Sequence, residues 1–253
     1  MEKPSLSTAN TPQGANKDQK QTIEYWIPKG GLDVRVYVEH EHKQGIHHLG
    51  RYTWAIPVVE GRKRIIDIAC GAGYGSKLLA DAHPESEILG VDYDERAIAY
   101  ARKNYRAPNL RFESGNLVKW ETRAGAPLGE FDCVLSFDTI EHLLHREIAL
   151  INFAENLTEE GILLLSTPCG KPTNLLNPGW EHHKIEYSFF SLHNLLRRFF
   201  GTVLHTQDKT LPNQEFWDTV INGDKPRYLN RMNPVVCERP IQLDAVTGQP
   251  KRR

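Results

Sequence analysis

Four residues in the second half of the chain have the types and spacing for acid–base or metal chemistry: Asp138, Glu141, His142 and His183. Asp138, Glu141 and His142 fall at i, i+3 and i+4, one face of a helical turn. His183 would complete a set of two carboxylates and two histidines. A neutral imidazole takes up a proton near neutral pH, so His142, His183 and Glu141 are candidates for base work. The same set suits a divalent cation able to bind vicinal hydroxyls and lower the pKa of one of them. A second constellation lies earlier, where the apolar run Ile65, Ile66, Ile68 and Ala69 enters a turn with Gly71, Gly73 and Gly75. Glycines so close let the backbone turn sharply and admit a ligand without a Cβ in the way. Asp92 follows Gly71 by 21 positions, near the spacing at which a carboxylate meets ribose hydroxyls.

These groups must be positioned by strands and helices that alternate. Arg64–Ala69 and Glu87–Asp92 read as buried parallel strands. Leu110–Phe112, Phe131–Ser136 and Gly161–Ser166 read as the next three, and 202–206 and 234–237 as the last two. A helix opens near Tyr74. Asp94 can cap another with the stripe Ala97, Ile98, Ala101 and Tyr105. Leu150, Phe153, Ala154 and Leu157 mark a third, and Ser188 opens a fourth with Leu192, Leu195, Leu196 and Phe199. The pattern predicts an α/β fold: a Rossmann-like, doubly wound, mostly parallel seven-stranded sheet with helices on both faces. In such sheets the ligand lies beyond the carboxyl ends of the strands. Asp67–Gly73, Asp92–Tyr93, Gly115–Leu117, Phe137–His142 and Thr167–Pro168 should therefore converge.

The dinucleotide fingerprint reads G-x-G-x-x-G, whereas here the order is G-x-G-x-G, preceded by Asp67 and Cys70. This arrangement resembles motif I of the class I S-adenosylmethionine-dependent methyltransferases. The likeness covers roughly residues 45 to 240 and is nearest to members whose fourth-strand motif reads [DE]-x-I-E-H-L. It implies S-adenosylmethionine as cofactor, with Asp67, Ala69, Gly71 and Gly73 in the turn, Asp92 on the ribose and Tyr93 against adenine. It also implies Asn116 at the adenine amine through its carbonyl oxygen, with Leu117 and Phe137 alongside, and Arg51 at the methionine carboxylate. His183 lies in a His-x-x-Glu-Tyr segment that resembles methyltransferases of sugars or cell-surface polysaccharides. The resemblance thus implies O-methylation of a small-molecule or carbohydrate-like acceptor. Two rival readings remain. Asp138-x-x-Glu141-His142 also resembles RNA 3′-terminal 2′-O-methyltransferases that use a divalent metal, and an intact cofactor turn would equally suit a non-catalytic cofactor-binding partner subunit.

The composition bounds these readings. With 253 residues, 40% hydrophobic and 25% charged, the chain suits one domain with terminal additions. A formal net charge of −1 offers no field to gather nucleic acid or a membrane surface, which argues against both as partners. Cys70, Cys133, Cys169 and Cys237 have no C-x-x-C spacing, pointing to a reduced, cytoplasmic protein. No apolar run reaches the length of a membrane span, and no leader-like apolar stretch opens the chain. Residues 1–22 are polar and read as a disordered tail. Residues 23–60 read as a cap segment before the 61–241 domain, and its histidines His40, His42, His47 and His48 as a solvated or hydrogen-bonded cluster. Residues 208–232 read as a lid or hairpin, and 242–253 as a loose tail. Oligomeric state is not legible at this stage.

Overall fold

In a computed structural model of the chain, residues 48–171, 173–178, 182–205 and 234–242 are described. The expected tail at 1–22, most of the cap segment, the lid at 208–232 and nearly all of the C-terminal tail lie outside the described residues.

Helix α1 covers 48–58. Then follow β1 (Arg64–Ile68), α2 (Tyr74–Ala82), β2 (Glu87–Asp92), α3 (Glu95–Asn104), β3 (Leu110–Asn116) and β4 (Glu121–Thr122). The second half holds β5 (Phe131–Phe137), a 3-10 turn at Ile140–His142, α4 (Arg146–Glu155), β6 (Leu157–Ser166), β7 (Cys169–Lys171) and β8 (Leu175–Leu176). It ends with β9 (Ile185–Ser188), α5 (Phe189–Arg197), β10 (Phe200–His205) and β11 (Val235–Pro240). The main sheet has the order β10-β11-β6-β5-β1-β2-β3-β4. Its centre is parallel, with Ile65 beside Ile88 on β2 and Cys133 on β5, while β11 runs antiparallel to both β6 and β10.

The strand period of two explains why helices cover both faces. Ile66, Ile68, Val134, Leu163 and Leu165 pack with Leu150 and Phe153 of α4 and Leu192 and Leu196 of α5. Their alternates Ile65, Cys133, Leu135, Ile162 and Leu164 pack with Leu49 and Tyr52 of α1 and Leu79 of α2. Most of these side chains are fully buried, each stabilising by about 1.5–3 kcal/mol relative to exposure. The caps read from sequence are in place: Asp94 accepts from the Arg96 amide, and Ser188 Oγ accepts from the Ser191 amide.

Three features differ from the expected seven strands. An eighth strand, β4, is a two-residue edge that pairs antiparallel with Gly115–Asn116, too short to show a period. Strand β6 starts at Leu157 rather than Gly161, because the register with β5 shifts between Phe131 and Cys133. Gly161 permits that irregularity: a Cβ there would meet Leu157 Cδ2 and the Thr158 carbonyl oxygen at 2.9 Å. A separate small sheet, β7-β9-β8, rises from the chain after β6. Its strands have two to four residues, below the length at which alternation becomes visible.

Candidate functional site

At the carboxyl ends of β1, β2, β3 and β5 lies a cleft of about 370 Å³. Its first wall is built by Ile68, Ala69, Gly71, Asp92, Tyr93 and Asn116; its second by Asp138, Thr139, His142, Leu143, His182 and Lys184.

The first wall follows from the turn after β1. Ala69 and Gly71 have φ of 63° and 56°, a left-handed passage that carries the chain across the strand ends. The Gly71 amide donates to Asp92 Oδ2 and the Asp94 amide to Oδ1, both at 2.8 Å, so Asp92 is fixed by backbone from both adjoining turns. The later glycines also serve packing, and Gly73 continues the left-handed passage with a φ of 83°. A Cβ on Gly73 would sit 2.6 Å from that of Ala101, and one on Gly75 would enter the Tyr52 ring. Asp67 lies beneath the turn, where it accepts from Ser76 Oγ at 2.7 Å and from Tyr52 at 3.1 Å. Burial pushes its carboxyl up to about 6 against those two donors. Tyr93 is 58% exposed at the cleft. Asn116 Oδ1 accepts from the Val118 amide at 2.9 Å and the Lys119 amide at 3.3 Å, so the oxygen expected to meet an adenine amine is turned to backbone. Leu117 lines the cleft, whereas Gly73, Asp67, Phe137 and Arg51 are absent from its lining. Phe137 instead packs edge-on against Tyr52 at 5.2 Å.

The second wall is held by chain segments far apart in sequence. The Lys184 amide donates to the Glu141 carbonyl at 2.7 Å, and His142 Nδ1 lies 3.1 Å from the His182 carbonyl oxygen. His142 and His183 meet edge to face, with ring centroids 4.8 Å apart. Burial and the neighbouring His183 push His142 down to about 4; burial also lowers His183, opposed by Glu186 3.3 Å from its Nδ1. Both rings are therefore neutral near pH 7. Glu141 is fully buried, with Thr167 Oγ1 donating to Oε2 at 2.8 Å. Burial first, and then nearby Asp138, push its carboxyl well above the usual carboxylate range.

The four residues expected to act together are divided. One possible ligand atom from each of Glu141, His142 and His183 falls within 4.8 Å of the others. Asp138 belongs to a different arrangement: its φ is 51°, Arg51 Nη2 lies 2.6 Å from Oδ2, and Ser166 Oγ donates to Oδ1 at 3.1 Å. The expected helical face fails because Asp138 leaves β5 in the left-handed region and only Ile140–His142 form a turn. Arg51, expected at the methionine carboxylate of the cofactor, meets the carboxylate of Asp138 in this structure. Thr139 falls in the expected strand end 137–142, whereas Lys184 in the wall and Tyr52 and Ser76 behind Asp67 carry no signal in the sequence pattern. Glu186 was visible as the Glu of His-x-x-Glu-Tyr, but its bond to His183 was not.

The sequence profile described as a methyltransferase domain matches residues 60–231. Over 104 residues the chain is 33% identical to a probable S-adenosylmethionine-dependent methyltransferase of Mycolicibacterium smegmatis, covering 41% of this chain and 37% of that protein. It is 28% identical over 186 residues to a malonyl-[acyl-carrier protein] O-methyltransferase of Bacillus cytotoxicus, covering 72% of this chain and 61% of that one. The chain therefore matches only part of the length of these relatives. Among solved structures, the plantazolicin methyltransferase BpumL bound to S-adenosylhomocysteine and a desmethyl analogue superposes with a TM-score of 0.57 at 13% identity. It covers 81% of this chain and 90% of that one, a likeness of fold. Among the described residues no helix is long and apolar enough to cross a membrane. With the profile spanning most of the chain and the cleft at the strand ends, the protein belongs to the methyltransferase-domain family, among the class I S-adenosylmethionine-dependent methyltransferases.

Proposed function

We propose that the protein transfers the methyl group of S-adenosylmethionine to a hydroxyl oxygen of a small-molecule or carbohydrate-like acceptor, in the cytoplasm. The observation that carries this reading is the division of one cleft into a wall of backbone turns with Asp92 and Tyr93 and a wall that presents the neutral His142 imidazole. Asp92 would take the ribose hydroxyls, Tyr93 would lie against adenine, and Asn116 would offer its NH₂ to an adenine ring nitrogen. The cofactor's methyl group would then face His142. The name of the Bacillus relative supports oxygen as the acceptor atom, and four free, buried cysteines suit a reducing compartment.

Methyl transfer is an in-line displacement: the acceptor oxygen's electron pair forms the new C–O bond while the S–CH₃ bond breaks and sulfur keeps its pair. The thioether leaves neutral, so no acid is needed. A hydroxyl must lose its proton, and neutral His142 in the cleft is suited to receive it. Holding both reactants in the cleft supplies the remaining advantage by proximity. A carboxylate acceptor would suit the second wall less, since beside Lys184 it offers Asp138 and the neutral His142 ring.

Calorimetry against S-adenosylhomocysteine and NAD, followed by assay of S-adenosylhomocysteine formation with a panel of sugars, phenols and carboxylates, tests this reading. Homocysteine-ligand binding with turnover on hydroxyl acceptors is expected. Binding of NAD alone, or turnover confined to carboxylates, would overturn it.

A further inference from the structure

Arg51 and Tyr52 are neighbours on α1 and neither lines the cleft, yet each holds a carboxylate at the strand end from which one wall is built. The Tyr52 hydroxyl lies 3.1 and 3.3 Å from the two oxygens of Asp67, to which it donates. Asp67 also accepts from Ser76 Oγ at 2.7 Å. That bond closes the base of the glycine turn, because it joins β1 to the first turn of α2. On the other side Arg51 Nη2 lies 2.6 Å from Asp138 Oδ2, where the chain leaves β5 for the second wall. Strands β1 and β5 pair directly, with Asp67 beside Leu135, so the walls meet at the seam between these two strands. Successive helix residues project about 100° apart, which lets Arg51 and Tyr52 reach to its two sides. Helix α1 is anchored apart from these ties: Leu49 and Ala55 are fully buried, and His83 Nε2 lies 2.9 Å from the Ile56 carbonyl oxygen. The Tyr52 ring is held by packing, edge-on to Tyr74 at 5.5 Å and Phe137 at 5.2 Å, with Cζ 2.0 Å from the place of a Gly75 Cβ. Its hydroxyl is therefore a directed tie beyond what filling that space requires.

We propose that Arg51 and Tyr52 are positioning residues, which through Asp138 and Asp67 tie the two walls to one helix and so set the gap that the methyl group crosses. The inference rests on the methyl-transfer reading above. In that reading the sulfur belongs to the first wall and the acceptor oxygen to the second. An in-line displacement needs oxygen, carbon and sulfur on one line with the reacting atoms about 3–3.5 Å apart, so an error in the gap enters the reaction directly. A misplacement of about 1 Å costs roughly 10²-fold in rate. The cofactor's own contacts are made within the first wall and survive such an error. Turnover is therefore the sensitive quantity and cofactor affinity the insensitive one. A guanidinium that served the cofactor's carboxylate instead would show the reverse pattern, a loss of affinity when it is shortened. The ties suit a fixed gap because Arg51, Tyr52 and Asp67 are all nearly inaccessible, so water does not compete for their bonds.

The test uses the full chain. Tyr52→Phe keeps the ring and removes only the hydroxyl, and Arg51→Lys keeps the charge but shortens the reach to Asp138. Each should lower kcat at saturating cofactor and acceptor by about 10–100-fold while affinity for S-adenosylhomocysteine stays within about threefold. The double variant should lose little more than the worse single one, because the gap is free once either tie is cut, whereas separate local effects would multiply. Full turnover in either single variant, multiplying losses in the double, or a fall in affinity that matches the fall in kcat would each overturn the inference. So would a lowered melting temperature with kcat and binding stoichiometry falling together, the mark of a purely structural role. Should a variant not fold, a structure of the unaltered protein with S-adenosylhomocysteine bound decides the matter. Arg51 still on Asp138 and Tyr52 still on Asp67 support the ties, and an Arg51 that has moved to the cofactor's carboxylate overturns them. Absence of any turnover by the unaltered protein would sink the methyl-transfer reading, whereas turnover that ignores both substitutions sinks the ties alone.

Discussion

The two walls of the cleft are made by different means. The first wall, proposed for the cofactor, is local and mostly backbone: the turn after β1 and the end of β2 are neighbours in a parallel register that pairs Ile68 with Val91. Asp92 is clamped there by two amides. The opposite wall joins residues 40 and 43 positions apart through the contacts of His142 with His182 and of Glu141 with Lys184. It leans on a small sheet whose strands are too short to hold independently. One wall fixes geometry with few side chains, whereas the other fixes side-chain chemistry with little regular structure. A cofactor common to a family suits the first, and an acceptor particular to one protein suits the second.

The sharpest way to break this contrast is at His142. His142→Ala should lower turnover by about 10²–10⁴-fold if the ring takes the acceptor's proton or holds a cation, with affinity for S-adenosylhomocysteine unaltered. The pH profile adds a direction. The ring must be neutral to accept a proton or a metal, and its pKa is pushed down from 6.5 to about 4. Activity should therefore persist as pH falls through 6.5 and decline only toward 4. A decline centred near 6.5 in folded protein, or a variant with full turnover, would remove His142 from the chemistry.

The converse change is in the first wall. Asp92→Ala should weaken cofactor binding by about 1.5–3 kcal/mol, roughly 10–150-fold, as charge-assisted hydrogen bonds are lost. Turnover at saturating cofactor should change far less. If kcat fell as much as affinity, the two walls would not be separable, because Asp92 would be shaping the acceptor end through the turn it clamps.

The same division explains what could be read in advance. The sheet was legible because Ile65 and Ile66, Val134 and Leu135, and Leu163 and Leu164 fall in short apolar runs bounded by turns, and the two faces follow from alternation. The grouping of Gly71 and Asp92 in the first wall was legible because both lie in fixed relation to strand ends. Gly73 and Gly75 have a further role the spacing does not show: they make room for Ala101 and Tyr52, long-range neighbours that no local pattern reveals. On the other wall residue types were visible and their grouping was not. Asp138 and Glu141 sit three apart, yet a left-handed φ at Asp138 sends one carboxylate to Arg51 and the other into the core. That separation is set by the strand end and by α1, which is tertiary information.

The smallest expected effect tests whether the first wall has any side chain that matters besides Asp92. Tyr93 is the candidate, since it lies at the cleft yet is 58% exposed and packs into neither face of the sheet. A large aromatic left in water contributes little to folding, so Tyr93→Ala should leave the melting temperature within about a degree or two, as for a surface change worth under about 0.5 kcal/mol. If adenine lies against the ring, the same change should weaken S-adenosylhomocysteine by about 0.5–1.5 kcal/mol, roughly 2–12-fold, and Tyr93→Phe should restore it because the stacking face is retained. The amino acid end of the cofactor does not meet this ring in that pose, so methionine or homocysteine alone should show no sensitivity to the variant. Equal affinity of the wild type and Tyr93→Ala for S-adenosylhomocysteine would place adenine elsewhere and leave the first wall as backbone and Asp92 only. A loss rescued by Phe would instead show that this wall, too, carries one side chain chosen for its chemistry.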